Sequence, residues 1–178
     1  MRLRSFSLSL VAVVLFVTAA SQARADKGDI YFGYSRAGAN LYAVYTPAMN
    51  GWQAAAHVKL IPFLGVEGDV SRYSQTVNGY SQQVTLAMFG PRLTVRAAGV
   101  SLFAHGLAGV AHQHATIPFL PSVGYNATSY ALGGGADLPL WGRIKARVSA
   151  DFLGNSDAPD SSYSPEHYRF GLGVAYHF

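Results

Sequence analysis

Cysteine is absent from the 178-residue chain, which removes disulfide frameworks, thiolate metal sites, a thiol nucleophile and a lipid-modified N-terminal cysteine. Charge is scarce too. Only 12% of the residues are Asp, Glu, Lys or Arg against 50% hydrophobic ones, the opposite of a disordered chain. The formal net charge of +4 invites a nucleic-acid partner, but the positions of the charges refuse it. Arg2, Arg4 and Arg24 flank an apolar stretch, and from Asp26 onward ten basic residues face nine acidic ones. No Lys/Arg cluster remains to form the electrostatic footprint of phosphate binding. Beyond the N-terminus the chain also lacks an uninterrupted apolar run long enough to span as a helix, so any membrane role must use strands.

The N-terminus reads as an export signal covering residues 1–25. Arg2 and Arg4 form a positive start, Phe6 to Ala20 is a mainly apolar run, and Ala23-Arg24-Ala25 supplies small residues for cleavage before Asp26. As a helix this run rises only ~22 Å, short of the ~30 Å hydrocarbon core. Residues 26–178 are then one exported domain.

A period of two runs through that domain. From Gly51 to Ile61, Gln53, Ala55, His57 and Lys59 alternate with Trp52, Ala54, Ala56, Val58 and Leu60. After a turn at Ile61-Pro62-Phe63, Leu64, Val66, Gly68 and Val70 alternate with Gly65, Glu67, Asp69 and Ser71. This is a hairpin pattern, with Pro62 in the turn because it cannot donate to a ladder. Tyr130, Leu132, Gly134, Ala136 and Leu138 alternate with Ser129, Ala131, Gly133, Gly135 and Asp137. Ile144, Ala146, Val148, Ala150 and Phe152 then alternate with Lys145, Arg147, Ser149 and Asp151. With Asp29–Arg36, Gln82–Val95, Val100–His112 and Tyr168–Phe178 the count is eight strands. Connections are short after Leu60, Val95 and Leu138, and long at Ala37–Asn50, Tyr73–Ser81, Gln113–Ala127 and Gly154–Glu166.

An even number of dyad-patterned strands, with short turns at one rim and long loops at the other, specifies an all-β fold: a closed eight-stranded antiparallel transmembrane β-barrel. In lipid the first and last strands must pair, since an open edge would leave backbone groups unsatisfied in hydrocarbon. The bulky face of Tyr, Phe, Leu, Val and Trp is expected outward, and the face of Gly, Ala, Ser and the strand charges inward, where a narrow lumen needs small residues. Trp52, Tyr73, Tyr130, Tyr168 and Tyr176 fall near strand ends, where aromatic girdles sit.

The ending Tyr168-Arg169-Phe170-Gly171-Leu172-Gly173-Val174-Ala175-Tyr176-His177-Phe178 resembles the C-terminal signal of bacterial outer-membrane barrels. Together with Phe89-Gly90-Pro91-Arg92 and Gly133-Gly134-Gly135-Ala136-Asp137, it makes the exported domain similar to the small eight-stranded class of the OmpA-type transmembrane domain, OmpX and opacity-like proteins. That resemblance implies a Gram-negative outer-membrane location with both termini on the periplasmic side. It also implies recognition of Phe170, Leu172, Val174, Tyr176 and Phe178 by the barrel-assembly machinery, and outer-membrane lipid and lipopolysaccharide as surroundings. No peptidoglycan-binding domain follows the last strand of this sequence, so cell-wall tethering is not implied.

The strand charges expected inside are His57, Lys59, Glu67, Asp69, Arg92, Asp137, Lys145, Arg147, Asp151 and Arg169, with His177; the facing of His105 stays open. Buried charges must pair. A turn centred on Phe63 sets Lys59 against Glu67 and His57 against Asp69, and one centred on Trp141 sets Asp137 against Lys145. The expected role is a monomeric structural or surface-interaction barrel with a lumen plugged by paired charges, and the alternative is a narrow pore for ions or small solutes. A lipid-modifying enzyme is the weakest reading: deacylase-like barrels carry a His-x-Ser stretch, whereas this chain has His112-Gln113-His114, without the serine nucleophile. Ser161 and Ser162 beside Asp157 and Asp160 need no explanation beyond solvation. Two rim histidines fall short of the three or four ligands a metal requires, Gly133-Gly134-Gly135 lacks the strand-to-helix setting of a phosphate loop, and no cofactor is implied.

Overall fold

The computed structural model describes residues 27–39, 48–77, 80–97, 99–116, 123–155 and 167–178. The segment read as an export signal lies outside them, as do Asp157, Asp160, Ser161 and Ser162. Eight strands follow one another: β1 (Gly28–Ala39), β2 (Met49–Ile61), β3 (Leu64–Val77), β4 (Tyr80–Ala97), β5 (Val100–Thr116), β6 (Val123–Trp141), β7 (Ile144–Asn155) and β8 (His167–His177). Each pairs antiparallel with its neighbours, and β1 pairs with β8 from Asp29 opposite His177 to Ala37 opposite Arg169, so the sheet closes into a barrel. No edge is left, which is what a sheet in hydrocarbon demands. Among the described residues no helix is long and apolar enough to cross a membrane.

Alternation sets the two faces. On β1, Asp29, Tyr31 and Ser35 are buried while Ile30, Phe32 and Tyr34 are exposed. The same parity leaves Val110 and Leu102 of β5, Leu132 of β6, and Phe170, Leu172 and Val174 of β8 on the outside. From Tyr130 to Leu140 of β6 the outward positions are apolar throughout, about 33 Å along the strand at ~3.3 Å per residue. Tilted by ~40°, that run covers about 25 Å of height, the apolar band of an outer-membrane barrel.

At one rim the connections are two residues each, at 62–63, 98–99 and 142–143; Lys27 and Phe178 meet there, with Lys27 N donating to Phe178 O at 2.8 Å. The opposite rim carries the connections 40–48, 78–79, 117–122 and 156–166. The long loop expected at Tyr73–Ser81 is absent. Instead β3 and β4 stay paired through Gln75–Gln82, Thr76–Ser81 and Val77–Tyr80, because polar side chains do not stop a ladder that continues into water.

Two turns overrule the expected register. Ile61 pairs with Leu64 around Pro62–Phe63, and a bulge between Lys59 and Ile61 shifts the pairing, so that His57 faces Glu67, Ala55 faces Asp69 and Lys59 faces Gly65. Likewise Trp141 pairs with Ile144 around Gly142–Arg143, where Gly142 adopts a φ of 57°, and a second bulge sets Asp137 against Arg147 and Pro139 against Lys145. A two-residue turn followed by one bulged residue displaces each expected partner by two positions. At Gly90-Pro91 the β4–β5 ladder skips from Phe89–Ala108 to Arg92–His105, since Pro91 has no N–H to donate.

Candidate functional site

The lumen is built in two layers, and the one nearer the two-residue turns is ionic. Asp29, Glu67, Asp69, Asp137 and Asp151 are all buried there, with Arg92, Arg147, Arg169, His57, His105 and His177. The bonds form one connected web. Asp29 takes His57 Nδ1 at 2.9 Å, Arg92 Nη1 at 3.2 Å and Arg147 Nη2 at 2.6 Å. Arg92 reaches Glu67 at 2.9 Å and Asp137 at 3.6 Å. Arg147 Nε donates to Asp137 at 2.6 Å, and His177 Nε2 lies 3.0 Å from the same carboxylate. His105 bridges Glu67 at 3.0 Å and Asp151 at 2.7 Å, and Arg169 joins Asp151 at 2.6 Å to Asp69 at 2.7 Å. Every strand from β1 to β8 contributes a member, so the web cross-braces the whole circumference.

Two features make this burial tolerable. Phe103, also inward, lies under the Arg92 guanidinium at 3.9 Å and near that of Arg147 at 4.8 Å, so the cations stack on a ring rather than on bare hydrocarbon. His105 has a carboxylate oxygen at each ring nitrogen, so both polar ends of the buried ring are partnered. Gln53 extends the web by donating Nε2 to Asp69 at 2.6 Å.

The residues expected in the web do not all lie equally deep. Lys59 and Lys145 are only half-buried at the lumen mouth, and Lys145 Nζ donates to Ser101 Oγ at 2.9 Å. None of the expected couples Lys59–Glu67, His57–Asp69 and Asp137–Lys145 stands directly opposite in register; the close ion pairs here are Arg92–Glu67, His57–Asp29, Arg169–Asp69 and Arg147–Asp137. Asp29, absent from the sequence-based set, sits at the web's centre; its signal was the alternation with Ile30, Phe32 and Tyr34. Arg36 and Arg72 break the rule that strand charges point inward, for both are exposed on the outer face.

The second layer, nearer the long connections, is apolar. Ala37, Tyr73, Leu86, Met88, Leu107, Ala111, Ala131 and Leu153 are buried together. The lumen is therefore not lined by small and charged residues throughout, and Tyr73, expected in a girdle, is 1% exposed inside the barrel, its hydroxyl 2.9 Å from Ser35 Oγ. Trp52, Tyr130 and Tyr176 do stand on the outside.

Asp29, Asp137 and His177 bring three potential metal-ligating atoms within 4.8 Å of one another. Arg147 already donates to both carboxylates and Arg92 also faces both, so a cation entering would meet two guanidiniums; the donor set does not fit a metal. On the exterior, His112 Nδ1 lies 2.7 Å from Asn126 Oδ1, an amide rather than the carboxylate or serine an acyl-transfer constellation needs.

No family model matches the sequence, and no curated relative does. The fold is that of the small eight-stranded outer-membrane β-barrels. Neisserial surface protein A is similar with a TM-score of 0.63 at 9% identity, over 85% of this chain and 96% of that one. The N-terminal β-barrel domain of Pseudomonas aeruginosa OprF gives 0.58 at 17% identity, over 87% and 100%. Ail, the attachment invasion locus protein of Yersinia pestis, in complex with the heparin analogue sucrose octasulfate, gives 0.57 at 18% identity, over 85% and 99%.

Proposed function

We propose that this chain is an exported, monomeric, integral outer-membrane barrel with a structural or surface-interaction role rather than an enzymatic or wide-channel one. The observation that carries this reading is the lumen: an ionic web drawn from all eight strands, capped by an apolar layer of Tyr73, Leu86, Met88, Leu107 and Leu153. Ions crossing would have to strip the web of its partners and then enter a dry layer, and both are costly. The interior is scaffold, which leaves the rim and its connections to meet partners. Residues 1–25 act as the export signal, the two-residue turns and both ends of the exported domain lie in the periplasm, and Phe170, Leu172, Val174, Tyr176 and Phe178 serve the assembly machinery. Ail, whose fold this chain shares, has been seen with a heparin analogue, which supports a barrel of this shape meeting ligands at its surface. The pore reading draws on Lys59 standing opposite Glu67 and Asp137 opposite Lys145, and the register instead sets Lys59 opposite Gly65 and Asp137 opposite Arg147. Reconstitution in planar bilayers tests the reading: the wild-type protein gives no steady conductance, and a reproducible open state of fixed size refutes the sealed lumen.

A further inference from the structure

One stretch of the barrel's outer surface carries chemistry that the sealed lumen does not use. His112 and His114 are both exposed on the outer face of β5, two residues and so about 6.6 Å apart along the strand. The outward apolar run of β6 ends at Tyr130, opposite Ala108, and His112 lies two outward positions beyond that. The pair therefore stands above the hydrocarbon, within reach of ions in water. His57, His105 and His177 are instead buried in the web.

The neighbours of the pair shape it for a ligand. Asn126 stands opposite His112 on β6 and turns its Oδ1 to His112 Nδ1 at 2.7 Å. An amide oxygen only accepts, so Nδ1 carries the ring proton and Nε2 is left with a lone pair. A histidine that donates one ring N–H to a neighbour while the other nitrogen stays basic is set up as metal-binding histidines are. Gly124 stands opposite His114, and the point its Cβ would occupy lies 3.6 Å from His114 Nδ1 and 3.9 Å from His112 Cε1. Both imidazoles thus lean over the same bare stretch of backbone. On the β4 side Thr85 stands opposite His112. Arg72, a further strand away and about 10 Å across the sheet, is held by Gln83 Oε1 at 2.8 Å.

Two imidazoles are half of a tetrahedral set, and the membrane offers a way to complete it. Barrels inserted with one orientation hold the pair at one height, and a two-fold axis along the membrane normal sets β5 of one copy against β5 of the next. Toward the band the outward residues of β5 are Val110, Ala108, Gly106 and Ala104, small enough for two barrels to approach closely there. We propose that His112 and His114 of two copies together bind one borderline divalent transition-metal ion, such as zinc, among four imidazoles, and so pair barrels that are monomeric without it. Imidazole favours such an ion over magnesium or calcium, which take oxygen ligands. Asn126 acts through His112 as a positioning residue.

Energy transfer between barrels tests this on the protein without a histidine tag. The chain holds no cysteine, so Val148→Cys, exposed on the outer face of β7, takes a donor dye in one batch and an acceptor dye in another. The two batches are inserted together into phosphatidylcholine vesicles. Zinc should raise the transfer and saturate it at one ion per two barrels, a chelator should reverse it, and magnesium should leave it unchanged. His112→Ala and His114→Ala should each weaken the zinc response more than tenfold, and Asn126→Ala about tenfold; heat-dependent gel mobility checks that each variant still forms the barrel. His167→Ala, on β8, should leave the response as it is. No rise in transfer with zinc, uptake of one zinc per barrel without transfer, a response that survives loss of either His112 or His114, or one lost with His167→Ala overturns the proposal. Conductance plays no part in this readout, so the sealed lumen is judged separately.

Discussion

Replacing Arg92 by Met is the sharpest perturbation of the web. Arg92 is fully buried, touches Asp29, Glu67 and Asp137 at 3.2, 2.9 and 3.6 Å, and stacks on Phe103. Methionine fills much of the volume and supplies no charge. Five buried carboxylates then face two guanidiniums and the three histidine rings, and breaking one partner out of a buried pairing costs about 3–5 kcal/mol. The lower end applies, because each carboxylate keeps a second partner: His57 and Arg147 on Asp29, His105 on Glu67, Arg147 and His177 on Asp137. Adding Glu67→Gln removes one stranded negative charge and should return about 1–2 kcal/mol, a coupling expected of residues in direct contact. Equilibrium urea unfolding in phosphatidylcholine vesicles, followed by tryptophan fluorescence, measures both. A loss below about 1 kcal/mol for Arg92→Met, the size of an exposed salt bridge, would refute the reasoning, as would strict additivity of the pair.

Two further outcomes follow from packing. A methyl group at Gly90 would overlap the backbone carbonyl of Gly106 on β5; Gly90→Ala should therefore cost about 1–3 kcal/mol in the same unfolding assay, and a neutral result would mean that β4 and β5 are not so close there. Phe178→Ala should lower the amount of folded barrel in the outer membrane severalfold, as judged by the unheated fraction on a gel, while leaving expression of the unfolded chain unchanged; an unaltered folded fraction would take Phe178 out of the assembly signal.

The period of two made eight strands and most of their facing legible, because one residue's slip exposes a whole face. The sequence reading leaves Asp29 out of the inward set and the facing of His105 open, although the parity of their strands puts both inside, beside Tyr31 and Phe103, and puts Tyr73 inside against the size argument that sets it in a girdle. Size misled because an aromatic ring can be accommodated wherever the facing backbone is bare: Gly33 and Gly171 leave the room that the Tyr31 hydroxyl takes. The ion pairs were not legible. They depend on bulges beside Leu60 and Leu140 that shift register without a sequence mark, and on contacts across the lumen, such as His105 to Asp151 on a strand two removed. The division into an ionic and an apolar layer is hidden for the same reason: which residues share a height is set by the stagger of the strands, not by position along any one of them.

The central claim is closure of β1 on β8 around a sealed lumen, and the absence of cysteine makes closure directly testable. Phe32 stands opposite Val174 on the outer face of the seam, at the ~4.5–5.5 Å Cβ separation of facing residues that a disulfide needs only a small adjustment to span. Phe32→Cys with Val174→Cys, oxidised in the membrane, should give an intramolecular disulfide in nearly all of the folded protein, whereas Phe32→Cys with Phe170→Cys, four residues out of register, should give little. An unlinked Phe32/Val174 pair, or links only between molecules, would contradict the closed barrel.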